Sequence, residues 1–231
     1  AHMPFPLKYF PQKNICAQVE TEVGSVEKGL KDADYVSDQE YEIHLAQHTP
    51  IETHITTVYF DSHNRLNILT STQVPFHVRR IVANALNIPI QKIRVIKPRI
   101  GGGFGSKQEV LLEPLVAALA IKSRVAVCLK YSRGEEFISS RCRHPQIIKF
   151  RTGIKKDGTI TAMDMNVLMN AGAYGPHCLT VLTNTGSKIL PLVKCHNVKF
   201  KGTTVYTNLP VGGAYRGYGA TEGYFAFGVQ M

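Results

Sequence analysis

Residues 99–109 read Arg-Ile-Gly-Gly-Gly-Phe-Gly-Ser-Lys-Gln-Glu. Glycine at 101, 102, 103 and 105 gives the backbone more freedom than a turn requires, so something has to come close to the chain there. The preceding KIRVIK (92–97) reads as a short strand. The following QEVLLEPLVAALAIKS (108–123) reads as a helix apolar on most sides, with Pro114 in its first turns. The loop is therefore expected at a helix N-terminus, where unpaired N–H groups and about half a positive charge favour phosphates and other oxyanions. Two familiar nucleotide loops do not fit. A P-loop needs Gly-Lys-Ser/Thr, but Ser106 precedes Lys107 and Gln108 follows it. The dinucleotide fingerprint fits Gly101 and Gly103, then meets Ser106, and the acidic ribose partner about 20 residues on is missing. Neither ATP nor NAD is the favoured ligand. A strained strand-to-helix turn without a ligand is the structural alternative.

The rest of the chain sets the frame. Its 231 residues suit one large domain or two small ones and can bury about 70% of their extended surface. With 44% hydrophobic and 19% charged residues, the chain reads as folded and soluble rather than disordered. Residues 1–3 read as a cloning scar, with 1–13 as scar and N-terminal linker. No signal peptide is expected, because Pro4, Pro6 and Pro11 break that stretch. The longest apolar run (110–121) is interrupted by Glu113 and Pro114 and is too short to cross a bilayer. Five widely spaced cysteines without a Cys-x-x-Cys pair argue for reduced thiols in the cytoplasm and against a zinc or iron–sulfur framework. His44, His48 and His54 match no standard zinc spacing.

The formal charge of +10 suggests an anionic partner: a nucleic acid, a phosphorylated cofactor or an acidic subunit. The basic clusters RCRH (141–144) and IKKD (154–157) are short and read most simply as a solvated face. No basic–aromatic stripe, helix-turn-helix or RNP pattern supports a nucleic acid.

Elsewhere the pattern alternates. ITTVYFDSHNRLNILTS (55–71) reads as two strands around a polar turn, and HVRRIVANALN (77–87) as a helix stopped by Asn87 and Pro89. VAVCLKY (125–131) is a strand. QIIKFRTGI (146–154) and TITAMDMNVLM (159–169) form a hairpin across Asp157-Gly158. The fold class is α+β, with mixed sheets and packed helices.

IGGGFGSK (100–107) resembles the GGGFGGK loop of the molybdenum hydroxylases, the xanthine dehydrogenase and aldehyde oxidase family. Further matches follow in order. HTPIETH (48–54) resembles the family's segment ending in Leu-Glu-Thr-His or Met-Glu-Pro-His, and TSTQVPF (70–76) its Ser-Thr-Gln-Asn stretch, at the family's spacing from Gln73 to Phe104. KYSRGEEF (130–137) and CRHP (142–145) resemble its Arg-Glu-Glu and Arg-His-Pro stretches. NAGAYG (170–175) and TNLPVGGAYRGYGATEG (207–223) resemble its Asn-Ala-Gly and Thr-Asn-Leu-Pro…Phe-Arg-Gly-Phe-Gly stretches. The resemblance runs from about Asn14 to the end, which implies that 14–231 is a molybdopterin cofactor-binding domain, as a fragment or a split subunit without the catalytic C-terminal half.

The resemblance implies a molybdenum ion held by the dithiolene of a pterin, often extended to a dinucleotide. The metal then takes its sulfur from the pterin, and the protein orients and tunes the centre. By position, Gln73 matches the glutamine whose amide hydrogen-bonds an oxo ligand. Gly102, Gly103, Phe104 and Gly105 match backbone beside the metal, and Arg216 the arginine near the cofactor. Tyr218 stands where the family usually has a phenylalanine that packs on the substrate ring. Gln108 stands where xanthine enzymes have a purine-binding glutamate; it cannot ionise but can hydrogen-bond a ring nitrogen or carbonyl. Purine-like or nicotinate-like N-heterocycles and aldehydes remain open as substrates. Glu135 and Glu136 are expected to pair with nearby arginines. The general-base glutamate, the other half of the molybdopterin-binding subunit, and the 2Fe-2S and FAD modules are expected outside this chain. By itself it is expected not to turn over. Two alternatives stand beside this reading: a non-catalytic scaffold or partner subunit of the same fold, and a basic nucleic-acid module suggested by charge alone.

Overall fold

The structure, a computed structural model, describes residues 14–231, so the expected scar and linker at 1–13 lie outside the described residues. In chain order the elements are β1 (Ile15–Val23), α1 (Val26–Lys31), β2 (Tyr35–Ile43), β3 (Ile55–Phe60), β4 (Leu66–Thr70), α2 (Pro75–Ala85), β5 (Ile93–Ile96), α3 (Glu113–Ser123), β6 (Val127–Lys130), α4 (Arg133–Ser139), β7 (Gln146–Ile154), β8 (Ile160–Gly172), α5 (Cys178–Ser187), β9 (Val198–Tyr206) and α6 (Ala220–Gln230). They form two compact units, one of 14–46 with Cys142–Met231 and one of Gln47–Arg141.

The larger unit holds a five-stranded sheet in the order β1-β9-β8-β7-β2. Only the β8–β9 pair is parallel. The β7–β8 hairpin forms as expected: Asp157 turns the chain by accepting from Thr159 N–H at 2.9 Å. Along β7, Gln146, Ile148 and Phe150 are buried while Ile147 and Lys149 face out, the period-2 alternation of a strand with one covered face. Phe150, Met163, Met165, Met169, Val181 and Leu182 form the core with α5 and α6. The smaller unit holds a sheet in the order β5-β4-β3-β6, with β4–β5 parallel. Val58, Ile68 and Ile93 from that sheet pack with Val78 and Val82 of α2 and Val116 and Ala120 of α3. Both sheets are mixed and carry helices, the α+β class expected.

One expectation fails. The helix expected from residue 108 starts at Glu113, with Pro114 in its first turn. Proline lacks an N–H and fits only near a helix start, so the helix cannot extend several residues ahead of it. The Glu113 carboxylate fixes this start by accepting from Leu111 N–H at 3.1 Å and Thr70 Oγ1 at 2.8 Å. After the glycines comes only a three-residue 3-10 turn, Ser106–Gln108. The loop is therefore not seated on an α-helix N-terminus, and any affinity for anions has to come from its own N–H groups.

The strand faces make a stability prediction. Phe150→Ala should cost about 3–5 kcal/mol in urea unfolding of the chain, and Ile147→Ala on the outer face under about 1 kcal/mol. Equal costs would mean that the faces of β7 are assigned wrongly.

Candidate functional site

Gln73 lies between β4 and α2, and the loop clamps it at both ends. Its backbone N–H donates to Lys107 O at 2.8 Å, and its Oε1 accepts from Gly105 N–H at 3.0 Å. That bond leaves the amide nitrogen, with two N–H donors, making no hydrogen bond among the described residues. A Cβ on Gly103 would stand 2.5 Å from Gln73 Oε1, so the close approach is possible only at glycine. Gly105 has φ 108°, a left-handed backbone that L side chains resist. Phe104, at φ 53°, turns its ring outward, 46% exposed. The backbone N–H groups of Gly102, Gly103 and Phe104 donate to no acceptor among the described residues. Gln108 is half-buried, and its N–H donates to Gly105 O at 3.0 Å.

Beneath the loop lies a polar anchor that the sequence did not reveal. Lys107 resembles a phosphate-binding lysine in its position but is fully buried. Its Nζ donates to Glu52 O at 2.9 Å and Glu52 Oε2 at 2.6 Å. Glu52 also accepts from Gly101 N–H at 2.9 Å and donates its own N–H to Gly101 O at 3.2 Å. Behind this pair, Glu136 accepts from His54 N–H at 2.8 Å and contacts His54 Nδ1 at 2.9 Å. His54 Nε2 reaches Ser106 O at 3.2 Å. Glu136 thus pairs with a histidine rather than an arginine, because burial places His54 and not a long cation against it. Glu135 does not pair with an arginine either: its side chain accepts from Ser132 N–H at 2.7 Å in the capping box of α4.

Burial opposes the charge on Glu136, yet hydrogen bonds from His54, with the nearby Lys107 ammonium, hold its carboxyl below the ordinary 4.5. Glu52 is balanced in the same way: burial works against the charge, and Lys107 and the Gly101 N–H more than offset it.

In the larger unit, Arg216 and Tyr218 share one turn, closed by Tyr218 N–H donating to Tyr215 O at 2.7 Å. Arg143 staples it. Its Nη2 donates to Arg216 O at 3.1 Å and its Nη1 to Thr221 Oγ1 at 2.9 Å. It pairs with buried Glu222 at 3.1 Å, and its guanidinium lies 3.8 Å over the Tyr215 ring. Arg216 is exposed, so the staple fixes its backbone and leaves its side chain outward. Tyr218 has φ 47°, a backbone that costs a non-glycine residue roughly 1–2 kcal/mol. Bonds at both its ends offset this: Asn184 Nδ2 donates to its carbonyl at 3.1 Å, and its hydroxyl meets His177 Nδ1.

The structure thus groups Gln73, Gly102, Gly103, Phe104, Gly105 and Gln108 around one loop, and Arg216 with Tyr218 on one turn. The RCRH cluster is not a solvated face. Cys142 and His144 are fully buried, and Arg141 pairs with Glu109 at 3.0 Å. Among the described residues, no group of three or more His, Cys, Asp or Glu side chains could hold a metal ion. The donors at the loop, amide and backbone N–H, suit an oxygen-rich group whose metal is ligated by its own organic part.

The anchor predicts an acid limb. A carboxyl held below its unfolded value contributes stability that is fully present above that value and is lost as pH falls through the folded one. The Tm should be flat above about pH 5 and fall as pH drops through and below 4.5. Glu136→Gln should lower the neutral-pH Tm and make the acid fall shallower. An unchanged acid slope would remove Glu136 from the account.

The family described as the molybdopterin cofactor-binding domain matches residues 9–231. The chain is 45% identical over 227 residues to the probable hypoxanthine oxidase XdhD of Escherichia coli (strain K12), covering 98% of this chain and 24% of that protein. It is 38% identical over 214 residues to the putative xanthine dehydrogenase molybdenum-binding subunit XdhA of the same strain, covering 92% of this chain and 28% of that one. Among solved structures, the aldehyde oxidoreductase of Desulfovibrio gigas superposes with a TM-score of 0.85 at 25% identity, over 92% of this chain and 24% of that one. The chain therefore spans about a quarter of the length of these proteins. A match that takes in both compact units, on a loop whose donors suit such a group, means that the chain belongs to the molybdopterin cofactor-binding domain family.

Proposed function

We propose that this chain is the cofactor-binding part of a molybdenum hydroxylase that oxidises an N-heterocycle of the purine type. The observation that carries the reading is the Gln73 clamp, a carboxamide fixed by its oxygen with its donor end left over. When bound, the cofactor supplies the two-electron oxidation of a substrate carbon, with oxygen drawn from water. The Gln73 amide and the backbone N–H groups of Gly102, Gly103 and Phe104 would hold and orient it by hydrogen bonds, with Gly105 fixing Gln73 for that task. Arg216, on a backbone fixed by Arg143, offers a guanidinium to the anionic cofactor. Gln108 and Tyr218 are assigned to the substrate. Gln108 can donate to a ring carbonyl or accept from a ring N–H without ionising. The choice of a purine over nicotinate or an aldehyde is supported by the XdhD and XdhA relatives. The general base, the rest of the molybdenum subunit and the iron–sulfur and flavin carriers are assigned to other domains or subunits, and the 231 residues alone should not turn over.

The test is Gln73→Ala in the enzyme assembled with its remaining parts. Loss of one preorganised donor should lower kcat by about 100-fold, with pterin content close to that of the unmodified enzyme. Undiminished kcat would contradict the assignment of Gln73. Hydroxylase activity from the isolated chain would contradict the division of labour.

A further inference from the structure

His177 and Tyr218 are both non-glycine residues on left-handed backbone, with φ 60° and 47°. They meet at their polar ends, His177 Nδ1 to the Tyr218 hydroxyl, with the rings edge-on at 5.5 Å and 80°. Each is pinned from behind. His177 is the N-cap residue of α5, and its carbonyl accepts from Val181 N–H at 3.0 Å. Tyr218 is held at both backbone groups, by Tyr215 O at 2.7 Å and Asn184 Nδ2 at 3.1 Å. Two unfavourable backbones and three anchoring contacts thus hold one phenol against one imidazole. Those backbone anchors would hold a phenylalanine equally well; what the tyrosine adds is the hydroxyl that meets His177 Nδ1.

We infer that His177 and Tyr218 form a specificity dyad, in which His177 is a positioning residue that aims the Tyr218 hydroxyl at the polar edge of an N-heterocyclic substrate. The inference rests on the function proposed above. The dyad can present either polarity. With the imidazole proton on Nε2, Nδ1 accepts from the phenol, and the phenol oxygen can accept from a substrate N–H. With the proton on Nδ1, the imidazole donates and the phenol proton is available to a ring nitrogen or carbonyl. A lactam edge carries both kinds of group, whereas a benzene ring bearing an aldehyde carries neither on its ring. Sites built to hydrogen-bond a substrate group discriminate strongly against analogues that lack it.

The experiment uses the assembled, molybdenum-loaded enzyme and two readouts. One is the equilibrium Kd of uric acid, a purine with no C–H carbon left to oxidise. The other is the ratio of kcat/KM for hypoxanthine to that for benzaldehyde. Tyr218→Phe should weaken uric acid binding about tenfold and lower the ratio by a similar factor. His177→Gly, which suits the left-handed backbone, should do the same. In the Tyr218→Phe background it should have less than about a twofold further effect, because no hydroxyl is left to position. The dyad is overturned if Tyr218→Phe leaves both readouts unchanged, or if His177→Gly acts equally with and without the hydroxyl. An unmodified enzyme that neither binds uric acid nor oxidises hypoxanthine would instead overturn the purine reading, and the dyad with it.

Discussion

The hydrogen bond from Gly105 N–H to Gln73 Oε1 is the contact on which the candidate site depends. It settles which end of the carboxamide is left for a ligand, and it requires Gly103 to have no side chain, since a Cβ there would overlap the amide oxygen. Two groups come close to the glycines. From inside the protein it is Gln73, and from outside, under the proposed function, it is the cofactor. The run of glycines reads as excess freedom only when the first of these is ignored.

The loop owes its shape to polar contacts placed beneath it. Lys107 and Glu52 form a bridge between residues 55 apart in sequence, and His54 and Glu136 one between residues 82 apart. Lys107, His54 and Glu136 are buried while Glu52 is partly exposed, and losing a partner of any of the three buried groups leaves it uncompensated. The larger unit uses the same device at its own turn. Arg143 and Glu222 sit under the backbone of Arg216, so a residue assigned to the cofactor is held by one that is not. The backbones that carry Phe104 and Arg216 are thus held from beneath by polar contacts.

Local signals account for what was legible in the sequence. The β3–β4 and β7–β8 hairpins announce themselves by alternation around a polar turn, and α2 by its apolar spacing and stop residues. The N-terminal β1 and β2 and the late β9 carried no such signal. β2 is an edge strand with mostly exposed residues, and its partner β7 lies far along the chain. Gln73, Phe104, Arg216 and Tyr218 could be picked out only through the family resemblance, because in isolation each is an ordinary surface or core residue. Apolar spacing alone starts α3 too early, because Pro114 holds its first turn. The pairings of Lys107, Glu136 and Arg143 could not be read at all, since they join residues that only folding brings together.

The central claim is that this chain holds a molybdenum–pterin cofactor, and elemental analysis tests it most directly. The complex captured through this chain from its native source should contain close to one molybdenum per chain, together with pterin fluorescence after oxidation. An intact complex without molybdenum would contradict the claim. It would leave the chain a scaffold of the same fold, with Gln73 and Arg216 as ordinary structural residues.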